Sequence, residues 1–155
     1  MTSPRLKIQN GFNLVELMVV ISVLAVILSI AIPSFLDLIR DSKSRSQSNQ
    51  ILSYMHFARS EAVKRQLNIE AQMTQVASGW NIQILRPDTG ELLRRLDVSD
   101  KSVFLVGDNT IVFDPRGRPL QQRCVGVTVE NISKYNRQVM VLPGGKIAVE
   151  AGLCQ

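Results

Sequence analysis

Between Leu17 and Ile32 the chain carries no charged residue, and Ser22 and Ser29 are its only polar side chains there. Extended back to Phe12, the stretch is about 31 Å long as a helix at 1.5 Å per residue, enough to cross a bilayer core of about 30 Å. A secretory signal has a shorter apolar region that ends at small residues. Here the chain runs on through Pro33, Ser34, Phe35 and Leu36 with no Ala-x-Ala pattern, so the segment is expected to stay in the mature protein. Arg5 and Lys7 are the only charges of the eleven residues before it. They hold the N-terminus on the cytoplasmic side and send the rest of the chain across.

One acid interrupts the pattern. Glu16 lies about one turn into the apolar segment, where a carboxylate costs up to about 2.5–3.5 kcal/mol at membrane depth and less near the interface. It is either an interfacial group favoured by the helix N-terminal dipole or a charge awaiting a cation from a neighbouring chain. Pro33 removes one helical hydrogen bond. It is expected to kink the rod, or alternatively to end the membrane helix.

Beyond Pro33 the character changes. Residues 34–66 contain neither Gly nor Pro, and Leu52, Met55, Ala58, Ala62 and Val63 recur at helical spacing, predicting one long helix from about Asn13 to Leu67. The almost wholly polar run 41–49 is expected to bridge membrane and domain as an exposed helix or a frayed one. Arg59, Glu61, Lys64 and Arg65 are expected on a solvated face, with i,i+4 pairing within it. After residue 75 the period falls to two. Strands are predicted at 80–85, 91–96, 103–106, 110–113, 125–129, 138–142 and 147–149, with turns at Arg86-Pro87-Asp88-Thr89-Gly90, Asp114-Pro115-Arg116-Gly117 and Pro143-Gly144-Gly145. Six or seven short strands after one long helix make an α+β fold, with the helix packed on antiparallel sheet.

Catalysis has little to build on. The single histidine, His56, sits between Met55 and Phe57 on the helix, and no Gly-x-Ser-x-Gly, P-loop or paired-cysteine motif occurs. No enzyme, metal or cofactor is expected. Cys124 and Cys154 allow one disulfide in a domain expected outside the cytoplasm, and two free buried thiols are the alternative.

Gly11-Phe12-Asn13-Leu14-Val15-Glu16-Leu17 ahead of an apolar helix resembles the class III signal of type IV pilins and type II secretion pseudopilins. The commonest family form has Thr and Ile at the places of Asn13 and Val15. The resemblance implies that a prepilin peptidase cuts after Gly11 and methylates the amine of Phe12. It also implies that Glu16 pairs with that amine on an adjacent subunit. The segment His56 to Arg65, Gly79-Trp80, and Phe113 to Arg118 are similar to the GspH/FimT/FimU group of minor pilins.

The resemblance divides the chain into parts with distinct expected roles. Residues 1–11 are a leader, 12–33 a transmembrane and assembly helix, 34–67 its periplasmic half and 68–155 a β-rich domain. The protein is expected to be anchored in the inner membrane with a periplasmic domain, and then to enter a pilus or pseudopilus. Its expected partners are the prepilin peptidase, the assembly platform, the lipid bilayer, and other minor pilins with a major pilin, or pseudopilins. The resemblance favours a FimU-like subunit that primes or caps a type IV pilus, ahead of a GspH-like secretion pseudopilin. A FimT-like DNA-binding pilin is the third reading. There the family carries Gly-Arg-x-Arg, and this chain has Gly145-Lys146-Ile147-Ala148, leaving Arg116, Arg118, Arg123 and Lys146 as the candidate contacts for nucleic acid, with Asp114 the only nearby acid.

Overall fold

The structure, a computed structural model, describes residues 13–154. Asn13 opens the single long helix α1 (Leu14–Arg65) by accepting the Val15 N–H on its side-chain oxygen at 3.3 Å. Pro33 lies inside α1, which is helical on both sides of it, so the proline does not end the helix. The chain divides into two compact units, one reaching Leu38 and one beginning at Ile39.

In the first unit every large apolar side chain from Leu14 to Leu38 is exposed, and this part of α1 is long and apolar enough to cross a membrane. Two of its hydroxyls are satisfied within the helix, Ser22 on the Met18 carbonyl and Ser29 on the Val26 carbonyl, each at 2.7 Å. A helix in lipid needs that internal pairing, because no water is present to replace it.

The second unit stacks the rest of α1 on two antiparallel sheets. One contains β1 (Ile69–Val76), β2 (Gly79–Leu85), β3 (Leu92–Val98) and β5 (Thr110–Phe113) in the order β3-β2-β1-β5. The other contains β4 (Val103–Gly107), β6 (Arg123–Val129), β7 (Arg137–Val141) and β8 (Ile147–Ala151) in the order β4-β6-β7-β8. Eight strands are present among the described residues, where the periodicity predicts six or seven. The extra one is β1, which begins six residues before the expected change of period. The helix gives way to β1 without a glycine. Gln66 adopts φ 57° and Leu67 donates to the Ala62 carbonyl at 3.3 Å, a left-handed helix cap.

One core joins these layers. Ile51, Met55, Ala58 and Ala62 of α1 meet Trp80, Ile82 and Ile84 of β2, Ile111 and Phe113 of β5, and the inward valines of β6 and β7. Burying each large side chain contributes about 1.5–3 kcal/mol. The helix stripe is rotated from the expected one, since Ile51 and Tyr54 are buried while Leu52 is only half-buried and Val63 is 43% exposed. The polar run 41–49 also departs from expectation. It is helical as expected but not exposed throughout, since Ser44, Gln47 and Ser48 are buried, with Ser44 Oγ donating to the Tyr135 carbonyl at 2.5 Å. Small polar side chains let the helix approach closely, and each hydroxyl finds a carbonyl.

A single side chain ties the sheets together. The Gln75 amide donates to the carbonyls of Gly79 at 2.9 Å and Val103 at 3.2 Å, and accepts the Leu105 N–H at 3.0 Å. It presents to the edge of β4 the donor and acceptor that a neighbouring strand would supply. The end of β8 is fastened differently. Cys154 is disulfide-bonded to Cys124 of β6, and Leu153 lies over Gly126, where an added Cβ would come within 2.7 Å of it.

Ion pairs flank the core at both ends of this part of α1. Arg40 meets Glu130 at 2.9 Å, Lys43 meets Asp100 at 3.1 Å, and Arg137 meets Asp41 at 3.1 Å. At the other end Arg65 bonds Glu61 at 2.6 Å and approaches Glu91 at 3.8 Å, which Arg86 holds at 3.2 Å. Burial pushes the Asp100 carboxyl up. The Ser102 hydroxyl and N–H and the Lys43 ammonium outweigh this, so its pKa lies below the ordinary value. A depressed folded pKa stabilises above the unfolded pKa of about 3.9, and the benefit is lost as pH falls through the folded value. Asp100→Asn is therefore expected to lower Tm at pH 7 and to flatten its decline below about pH 4, as read by thermal melts across pH. An unchanged acid limb would exclude Asp100 as a contributor.

Candidate functional site

Of the residues expected to direct processing and assembly, Gly11 and Phe12 lie outside the described residues. Glu16 is in the first turn of α1 and exposed, three residues after the capping Asn13. This position places its carboxylate on the positive end of the helix dipole. It is the only charged residue between Asn13 and Asp37. The two readings of Glu16 are thus compatible, because the dipole supports the charge while its side chain remains open to a partner.

The basic candidates are distributed differently from the expectation. Arg123 lies at the start of β6 and pairs with Asp108 at 3.0 Å, so Asp114 is not the only acid near these arginines. Asp108 also accepts the Cys124 N–H at 2.8 Å, fixing the carboxylate on which Arg123 is held. Arg116 and Arg118 flank Gly117 in the β5–β6 loop. There the Asp114 carboxylate accepts both of their backbone N–H groups, at 2.9 and 2.8 Å, and shapes the turn. Lys146 follows Gly145 in the β7–β8 turn, where Leu142 and Lys146 close the hairpin at 2.9 Å.

These two loops touch. A Cβ on Gly145 would stand 2.6 Å from the Gly117 carbonyl, and both glycines are in the left-handed region, at φ 81° and 74°. Over this pair lies Arg59 of α1. Its Cγ and Nε are 3.1 Å from a Cβ placed on Gly117, and its Nη2 is 3.1 Å from one on Gly145. Arg59 makes no hydrogen bond or ion pair among the described residues. The solvated face expected for Arg59 and Glu61 is not what the fold provides. Arg59 is half-buried against the two loops, and Glu61 is 9% exposed and bonded to Arg65. The two loop glycines are visible in the sequence, but their contact with each other and with position 59 is a product of the fold.

His56 is exposed on α1, beside a shallow depression lined by Arg59, Ser60, Val63 and Lys64. Among the described residues no group of His, Cys, Asp and Glu is arranged to hold a metal ion. Arg59 and Lys64 give this surface positive charge.

The family model described as type II transport protein GspH matches residues 47–145, and that of the prokaryotic N-terminal methylation motif matches residues 6–32. No curated protein sequence matches the chain. Among solved structures, the type IV minor pilin FimU of Pseudomonas aeruginosa is similar with a TM-score of 0.62 and 17% identity, over 70% of this chain and 89% of that one. The minor pseudopilin EpsH from the type 2 secretion system of Vibrio cholerae is similar with a TM-score of 0.55 and 9% identity, over 70% of this chain and 96% of that one. At such identities the likeness is one of fold, a long helix on two antiparallel sheets. Because the first of the family models spans more than half of its length, the chain belongs to the GspH family of type II transport proteins.

Proposed function

We propose that this protein is a non-catalytic minor pilin, a subunit that primes or caps the tip of a type IV pilus. In this reading a prepilin peptidase removes residues 1–11 and the new amine on Phe12 is methylated. Residues 12–33 then hold the subunit in the inner membrane, with 34–67 and the β-rich 68–155 in the periplasm. The assembly platform moves it from lipid into the filament, where the carboxylate of Glu16 meets the Phe12 amine of an adjacent subunit. Pro33 provides the point at which the helix yields during that transfer.

The observation that carries the reading is the run of exposed apolar side chains along α1 from Leu14 to Leu38, in which Glu16 is the one charge before Asp37. Lipid accommodates such a helix. A carboxylate at that depth gains nothing from lipid, but it gains strongly from a cation on a neighbouring chain.

Deletion of the gene, with surface pili, secreted enzymes and DNA uptake scored side by side, tests the proposal. Lost pili with normal secretion is the expected result. Lost secretion with normal pili would assign the subunit to a secretion pseudopilus instead. Failure of DNA uptake alone would favour the nucleic-acid reading, for which Arg116, Arg118 and Lys146 are the contacts to mutate, with Arg123 already engaged by Asp108.

A further inference from the structure

The patch around Gly117 and Gly145 is charged, partly apolar and unmatched within the described residues. Arg59 lies over the two glycines, the exposed Arg116, Arg118 and Lys146 are their neighbours in the two loops, and these loops contribute one carboxylate, Asp114, whose Oδ1 accepts two backbone N–H groups. Two exposed apolar side chains belong to the same region, Val63 against Gly117 and Leu120 two residues after Arg118. A Val63 methyl lies 2.8 Å from a Cβ placed on Gly117, and Leu120, at 85% exposure, is the most exposed large apolar residue described.

We infer that this patch receives an acidic segment of a neighbouring subunit in the assembled filament, an inference that rests on the proposed role as a filament subunit. Charge complementarity sets the chemistry. Arg59 lies flat over two glycines with its alkyl chain packed, so little side-chain entropy remains to be lost when a carboxylate meets its guanidinium fork. Exposed apolar side chains together with arginines have the make-up of a protein interface.

Nucleic acid fits less well. Its affinity depends on the number of phosphates neutralised, and here two short loops and Arg59 supply four cations. Single strands also need aromatic faces for stacking, and those of Tyr54 and Phe57 are covered by the Arg94 guanidinium at 4.4 and 5.1 Å.

The test uses the full chain with a photo-crosslinking residue in place of Leu120, expressed in cells that build filaments from it. Irradiated filaments should yield an adduct with another subunit, mapping by mass spectrometry to a peptide rich in Asp and Glu. The adduct per incorporated copy should fall at least tenfold in Arg116→Glu/Arg118→Glu, whose side chains are exposed and do not support the core. It should fall similarly in Arg59→Glu and persist in Arg116→Lys/Arg118→Lys. Adduct yield that ignores charge reversal, or no adduct from copies present in filaments, would overturn the inference. A nuclease-sensitive adduct would overturn it too, by placing nucleic acid on the patch. Absence of the unsubstituted chain from filaments would instead sink the filament role itself.

Discussion

Glu16→Ala should leave the chain processed and inserted in the membrane, yet reduce its recovery in sheared filaments by roughly a hundredfold or more. Removing one partner of a buried ion pair costs about 3–5 kcal/mol, because the other charge is left uncompensated. In this case the abandoned charge would be the Phe12 amine of a neighbour, deep among apolar helices. Processing should be unaffected, since the proposed cut after Gly11 would precede any meeting of subunits. Glu16→Gln should behave like the alanine variant, because an amide keeps the size of the side chain but not its charge. Immunoblots of membrane and sheared fractions, normalised to each other, read the ratio directly. Equal recovery of wild type and variant would show that Glu16 merely sits favourably at the start of α1 and that register is set elsewhere.

The second large effect concerns the disulfide. Cys124→Ser is expected to lower unfolding stability by about 3–4 kcal/mol, from the entropy of closing a loop across a separation of 30 residues. Cys154→Ser should cost a similar amount, and the double variant no more than either single one, because all three remove the same cross-link. Urea unfolding of the full chain in detergent measures the loss, and reductant added to the wild type should reproduce it. The loss has a local sign as well. Freed from Cys124, the tail no longer has reason to hold Leu153 over Gly126, so limited proteolysis should trim the residues after Ala151 before any other part of the domain is cut. A tail that stays resistant would mean that the packing of Leu153 suffices without the bond.

Much of the fold is written in the sequence as periodicity, and the departures have identifiable causes. The long helix and most strands follow from the spacing of apolar residues, and the turns from Gly and Pro. Strand β1 is hidden because the helix before it stops at Gln66, a residue with no stop signal, held left-handed by a backbone bond from Leu67. Taken by themselves, Ile69, Ala71 and Met73 alternate with Glu70, Gln72 and Thr74 as cleanly as any other strand. The buried face of Ser44, Gln47 and Ser48 is equally hard to read, because serine carries no hydropathy signal. What buries it is the proximity of the Tyr135 carbonyl, a contact between residues 91 apart. The candidate site divides along the same line. Glu16 is legible because its surroundings are contiguous in sequence. Arg59 is not, because its role depends on two loops that meet only in the folded domain.

The ion pairs at the two ends of the packed half of α1 have a mechanical consequence. Arg40, Asp41 and Lys43 grip residues around β4, β6 and β7, whereas Arg65 grips Glu91, ahead of β3. The helix is thus riveted to one sheet near residue 40 and to the other near residue 65, with the core from Ile51 to Ala62 between the rivets. Force applied along its axis loads both attachments and the core in shear, all at once, and offers no free end from which to peel. A subunit built this way transmits tension from this half of its helix to its sheets as a single block, which suits a part carried in a fibre under load.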